Sequence, residues 1–216
     1  MPGNHDVEDY EFRKDSIRGI IEGAENPEKY MEYLERTQSL KMAFESYSNF
    51  VKQFYGDEVT DNRINNPDDV ICLPWRDKIN IIILNTALIS DGNKEHGEII
   101  DINALSKIKI NKKLPTLVLG HHDFGSICES QKERMVKIFE TANVRAYLCG
   151  DTHKDEIKFI DKYDDIVNKI PCIICGKSAV QLMDNYSDVG VISYNWNNDG
   201  FVYVIPYRWG EKYCFK

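Results

Sequence analysis

Thr116-Leu117-Val118-Leu119-Gly120-His121-His122 and Val144-Arg145-Ala146-Tyr147-Leu148-Cys149-Gly150-Asp151-Thr152-His153 are the stretches that decide the fold. Each is a short apolar run that opens on a glycine and then on side chains able to bind metal, the pattern of a buried strand running into a functional loop. Between them Ser130-Gln131-Lys132-Glu133 reads as a capping box, and Met135, Ile138, Phe139 and Ala142 follow as the inward face of a helix. A strand, a helix and a second strand predict parallel neighbours whose C-terminal loops share one edge of a sheet. His121 and His153, 32 positions apart, can therefore reach one site.

Upstream, the β-branched run 79–84 ends in Asn85-Thr86 and predicts another buried strand, and 101–110 reads as a short helix. Nearer the start, Asn26 suits a helix cap, Pro27 its first turn and Gly56 its end. Tyr30, Tyr33, Thr37, Leu40, Phe44, Tyr47, Val51 and Phe54 recur between them at helical spacing. A helical insertion or cap is expected at about 26–56, possible breaks falling near Ser39; it packs on the domain, covers a substrate cleft or meets a second subunit. Residues 7–21 read as loop with some helix, and 57–69, rich in Asn and Asp, as loop. Short strands are expected at 170–175, 189–195 and 201–207, with Asn197-Asn198-Asp199-Gly200 as a hairpin turn. The fold class is thus α/β over a single domain, 1–216, with an antiparallel, β-rich C-terminal part.

Composition narrows the function. A formal charge of −8, with no Lys/Arg cluster, argues against nucleic acid as a partner, whereas a small phosphate ester held at a metal remains compatible. No apolar run reaches the ~20 residues of a membrane span, and the start lacks a secretion signal, so a cytoplasmic location is expected. The 6 cysteines are then expected to be reduced thiols. Cys172 and Cys175 form a C-x-x-C on an expected strand, where positions i and i+3 face opposite ways, so a redox or zinc pair is disfavoured. Gly176-Lys177-Ser178 is not a phosphate loop, because Pro171 stands where that loop requires glycine. His96 reads as solvent-exposed.

The remaining motif is Pro2-Gly3-Asn4-His5-Asp6, a turn that offers an amide oxygen to a metal and an imidazole beside it. In order, Gly3-Asn4-His5-Asp6, Gly120-His121-His122 and Gly150-Asp151-Thr152-His153 resemble the last three motif blocks of the calcineurin-like metallophosphoesterases. Asn85-Thr86-Ala87-Leu88 followed by Asp91 also looks like the bacterial branch of that family. The resemblance runs from residue 2 to about 155, and the β-rich tail fits it less specifically.

The resemblance implies a layered α/β/β/α sandwich and a phosphoesterase that hydrolyses a monoester or diester through a metal-bound hydroxide. Two divalent ions occupy the complete family site, with manganese, iron, zinc and magnesium as candidates. It makes Asn4, His121, Asp151 and His153 metal ligands, and His5 the group that donates a hydrogen bond or proton toward the leaving group. His122 is expected to orient the site and bind substrate rather than metal.

Asp151 departs from the pattern, standing where the family carries a histidine, which favours harder ions. The blocks D-x-H and G-D-x-x-D have no counterpart, so the domain is expected to be N-terminally incomplete, to hold at most one weakly bound ion and to hydrolyse poorly. The alternative is a non-catalytic remnant that acts as a binding or assembly module, and a homo-oligomer is compatible with either reading.

Overall fold

The computed structural model describes residues 3–4, 6–7, 10–23, 26, 29–30, 32, 44–55, 71–75, 77–93, 95–152, 156–162, 169–174, 187–195 and 201–209. Helices α1 (Tyr10–Gly23) and α2 (Glu45–Tyr55) precede strands β1 (Ile71–Trp75) and β2 (Ile79–Ile83). Then come α3 (Ile102–Lys107), β3 (Thr116–Leu119), a 3-10 turn (Phe124–Ser126), α4 (Glu129–Thr141) and β4 (Val144–Cys149). Strands β5 (Glu156–Ile160), β6 (Ile170–Ile174), β7 (Ser187–Asn195) and β8 (Phe201–Trp209) complete the described elements.

The main sheet has the order β1-β2-β3-β4-β6-β5. Its centre, β2 through β3 and β4 to β6, is parallel, and an antiparallel strand closes each side: β1 against β2, and β5 against β6. The expected strand-helix-strand unit is present with β3 and β4 adjacent and parallel. The loops after β2, β3 and β4 consequently leave the sheet at one edge.

One face of this sheet is a sealed core. Ile82, Val118, Val144 and Tyr147 pack there against Leu105 of α3 and against Met135, Val136 and Phe139 of α4. A buried polar pair joins the strands on that side: Asn80 Nδ2 donates to Thr116 Oγ1 at 3.1 Å. On the opposite face Ile81, Ile83, Leu117, Leu119 and Leu148 are half-buried, while Ile157 and Phe159 at the β5 edge are exposed.

A second apolar cluster unites Ile17 and Ile21 of α1 with Tyr30, Phe44, Leu88, Ile89 and Ile99. Arg13 sits on the same helical face and is buried; its guanidinium donates to the Leu88 carbonyl and lies 4.9 Å over the Phe44 ring. The segment expected to be loop with some helix is therefore a helix of 14 residues from Tyr10 onward.

Other expectations change in detail. Helix α4 begins one residue before the proposed capping box, with Cys128 as its N-cap and no side-chain cap hydrogen bond, so Ser130 does not close the helix. Strand β6, read as part of an antiparallel tail, instead joins the main sheet parallel to β4. Strands β7 and β8 do pair antiparallel, over registers from Ser187↔Trp209 to Asn195↔Phe201; the proposed turn between them lies outside the described residues. Within 26–56, Lys29 N–H donates to Asn26 Oδ1 at 3.0 Å and α2 is helical, whereas Tyr33, Ser39 and Gly56 lie outside the described residues. Among the described residues no helix is long and apolar enough to cross a membrane.

Candidate metal centre

Three loops meet at the edge where β3 and β4 end. Gly3 and Asp6 close a turn around Asn4: Gly3 N–H donates to Asp6 Oδ2 at 2.8 Å, and Asp6 N–H donates to the Gly3 carbonyl at 3.1 Å. Asn4 Oδ1 thereby comes to 3.2 Å from His121 Nε2. Gly3 is obligatory for this approach, since a Cβ there would lie 2.8 Å from Cε1 of the His121 ring. From the β4 loop, Asp151 Oδ1 reaches to 3.4 Å from the same nitrogen. The His121 carbonyl accepts the N–H groups of Gly150 and Asp151, each at 3.1 Å, and so ties the β3 loop to the β4 loop.

Thr86, just after β2, anchors the backbone of both histidines. Its Oγ1 accepts the backbone N–H groups of His121 and His122, each at 3.0 Å. His122 Nδ1 lies 3.1 Å from the Thr86 carbonyl and 3.2 Å from Thr86 Oγ1, which fixes the ring against this residue. From below, Tyr147 Oη donates to the His122 carbonyl at 2.8 Å; burial pushes that phenol well above its ordinary pKa and keeps the proton in place. Gly120 passes so close to Tyr147 that a Cβ there would stand 2.0 Å from Oη.

The ligand atoms of His121, His122 and Asp151 all lie within 4.8 Å of one another. Glu98 joins them from the β2–α3 connection, with Oε1 3.6 Å from His122 Nε2. Burial pushes the Glu98 carboxyl up to about 8, Asp151 and Asp91 adding to the effect. Ser90 pulls it the other way, although neither Ser90 Oγ nor Glu98 Oε2 makes a hydrogen bond of normal geometry. Burial lowers His122 to about 4, with Asp151 opposing and His121 adding to the shift.

A cleft of about 870 Å3 opens beside these groups, lined among others by Asn4, Glu98, Asp123, Asp151, Glu156 and Lys158. Lys158 Nζ donates to the buried Asp123 Oδ2 at 2.8 Å. Burial alone pushes Asp123 up, but the hydrogen bonds from Lys158 and from Ser126 N–H outweigh it and hold the carboxyl below its usual value.

Of the residues singled out in the sequence, Asn4, His121 and Asp151 are brought together and His122 lies beside them. His5 and His153 lie outside the described residues. His96 is not simply solvent-exposed: it is half-buried, with Nδ1 2.7 Å from Oδ2 of the buried Asp91. Cys172 approaches Cys149 on the neighbouring strand, Sγ to Sγ 4.0 Å, and Cys175 lies outside the described residues. Sequence reading gave no part to Glu98 or to Thr86 as a support. An isolated glutamate in Glu95-His96-Gly97-Glu98 carries no motif, and only the pairing of Glu98 with Ile127 brings it to the rim.

A rim of imidazole, carboxylate and amide at the loop ends of a parallel sheet offers the donor types of a metal site, and the chain is similar to a metallophosphoesterase-like protein. Across 226 aligned positions, covering 100% of this chain, it is 25% identical to a Bacillus subtilis (strain 168) protein named as an uncharacterized metallophosphoesterase-like protein, YydB. The chain spans 44% of that relative's length. No family model matches it.

Proposed function

We propose that this chain carries the metal-binding rim of a phosphoesterase that hydrolyses a small phosphomonoester or phosphodiester. The observation that carries the reading is the convergence of Asn4 Oδ1, at 3.2 Å, and Asp151 Oδ1, at 3.4 Å, on His121 Nε2. Donors bound to one ion at about 2.1 Å lie roughly 3 to 3.5 Å apart, so this set fits a shared divalent cation. Its one imidazole and two oxygens favour manganese, iron or magnesium over softer ions. When bound, such an ion supplies Lewis-acid activation of water and neutralises charge on the phosphoryl oxygens.

The chain's own residues do the rest. Asn4, His121 and Asp151 hold and orient the cation, and His153 is assigned as a further ligand by its place in the motif. His5 donates a proton or hydrogen bond toward the leaving oxygen. His122 and Lys158 border the cleft where the ester lies. The sheet with its helices forms one part of a layered sandwich, and the chain works as a cytoplasmic hydrolase on a small ester rather than on nucleic acid. Turnover by this chain alone is expected to be slow, because Asn4, His121, Asp151 and His153 suffice for about one loosely held ion.

Hydrolysis of p-nitrophenyl phosphate and of bis-p-nitrophenyl phosphate, each with manganese and after chelation, tests the reading. Manganese-dependent turnover that disappears in His121→Ala supports it; absence of both turnover and metal uptake defeats it.

One observation favours a second reading, a binding or assembly module. The half-buried face formed by Ile81, Ile83, Leu117, Leu119 and Leu148 suits a further layer supplied by another chain, including a second copy of this one. Sedimentation of the purified chain distinguishes this reading by showing whether it self-associates.

A further inference from the structure

We infer that Cys149 and Cys172 form an oxidation site, at which a peroxide joins them in a disulfide that loosens the rim's hold on its cation. The bond itself follows from the placement of the two sulfurs, and its effect on the cation rests on the metal-site reading above.

Sequence spacing sets Cys172 beside Cys175, but the sheet gives it a different neighbour. Strand β6 runs parallel to β4, with Cys172 opposite Tyr147 and Cys149 opposite Ile174. Positions two apart on a strand share a face, so both thiols enter the main core, where their sulfurs stand 4.0 Å apart. Neither is in a disulfide. Cys172 is only 1% exposed, whereas Cys149 is 6% exposed and adjoins the half-buried Gly150 and Asp151 of the rim. A small peroxide therefore meets Cys149 first.

Attack of the Cys149 sulfur on hydrogen peroxide breaks the O–O bond, leaves Cys149 as a sulfenic acid and releases one water. The Cys172 sulfur then attacks the oxidised sulfur and expels its hydroxyl, which departs with the Cys172 proton as a second water. Two thiols are oxidised to one disulfide, and the peroxide is reduced to two waters.

Closure has a mechanical consequence. An S–S bond is about 2.05 Å long, so the two sulfurs must draw together by roughly 2 Å. The residues are also two positions out of register, and Cα atoms on such a diagonal lie about 7–8 Å apart, beyond the span of about 4.4–6.8 Å of a relaxed disulfide. Backbone has to give, and the two strands differ in how firmly they are held. Cys172 lies in the middle of β6, paired with Tyr147 on one side and Lys158 on the other. Cys149 is the last residue of β4, beyond the pairing with β3, which stops at Leu148. The movement therefore falls on the turn that follows Cys149. There the N–H groups of Gly150 and Asp151 both rest on the His121 carbonyl at 3.1 Å, and Asp151 Oδ1 reaches to 3.4 Å from His121 Nε2. A pull on Cys149 spoils the fit of these two ligands. Strained disulfides are readily reduced, which makes the change reversible.

The test starts from the full chain, stripped with chelator, oxidised with hydrogen peroxide and digested without reductant for peptide mapping. A fragment joining Cys149 to Cys172 is expected. Manganese affinity, measured by equilibrium dialysis, is expected to fall about tenfold on oxidation and to recover with dithiothreitol. Cys172→Ala is expected to keep its affinity through the same treatment. A map without the Cys149–Cys172 linkage, or with Cys172 joined to Cys175 instead, overturns the inference. So does a linked chain that binds manganese as well as the reduced one. A reduced wild-type chain that takes up no manganese defeats the metal-site reading and the coupling with it, while the map still decides the bond. The wild-type map and affinities settle the matter however the variant folds.

Discussion

His121 Nε2 and Asn4 Oδ1 lie 3.2 Å apart although 117 positions separate them in the chain. The contact depends on Gly3, whose missing side chain leaves room for the imidazole. Gly3→Ala would place a methyl 3.0 Å from Nε2 and force the turn or the ring aside. Displacing a ligand's support typically costs 10–100-fold in metal affinity, and a loss of about that size is expected here. Equilibrium dialysis with manganese measures it, and a chain that keeps full affinity would show the turn to be irrelevant to the site.

Thr86 is completely buried and its hydroxyl oxygen serves two N–H groups. Thr86→Val keeps the shape and leaves both donors unsatisfied, at about 1–3 kcal/mol each. A stability loss of roughly 2–4 kcal/mol is expected from denaturant unfolding, with Thr86→Ser retaining most of the wild-type value. Equal stability of the valine and serine variants would contradict the role given to the hydroxyl.

Gly120 and Tyr147 are coupled by contact. Tyr147→Phe removes one buried hydrogen bond to the His122 carbonyl and is expected to cost about 1–3 kcal/mol. Gly120→Ala collides with Oη and with Cζ, 2.0 and 2.7 Å from the added carbon, so it is expected to cost more. Deleting Oη relieves part of that collision, so the double variant should be more stable than the sum of the single losses implies. Strict additivity in a double-mutant cycle would rule out the contact.

The Lys158–Asp123 pair gives a pH signature. Asp123 is held below its ordinary pKa, so its pairing stabilises the fold above the unfolded carboxylate range, near 4, and that stability is lost as pH falls through the lower folded value. Lys158 is 42% exposed, which screens the pair and limits its worth to about 1 kcal/mol. Lys158→Met should therefore be less stable than wild type at pH ~7, and the gap should close in acid below about 4. Thermal melts across that range decide it; a constant gap would assign the loss to packing.

The parallel strands β2, β3 and β4 were legible because they are mostly apolar runs, two of them followed by glycine and a possible metal ligand, His121 after Thr116–Leu119 and Asp151 after Val144–Cys149, whereas the parallel place of β6 was not. The two antiparallel edges were not. Pro74 lies inside β1, where proline argues against a strand, and β5 mixes charged residues with an exposed Ile157 and Phe159. Helix α1 was obscured by Arg13, a charge on the buried face whose partner, the Leu88 carbonyl, is 75 positions away. The site divides in the same manner. Asn4, His121 and Asp151 could be read from motifs, whereas Glu98 could not, because its place at the rim follows from backbone pairing with Ser126 and Cys128 rather than from any local pattern.

A single hydroxyl on one loop anchors the backbone of two successive histidines on the next. The two rings are therefore geared to each other. Drift in the segment after β2 would tilt both at once, so neither imidazole can be retuned through that support alone. Evolution and protein engineering alike must treat the pair as one inherited part, and a successful redesign of either ring has to begin at Thr86.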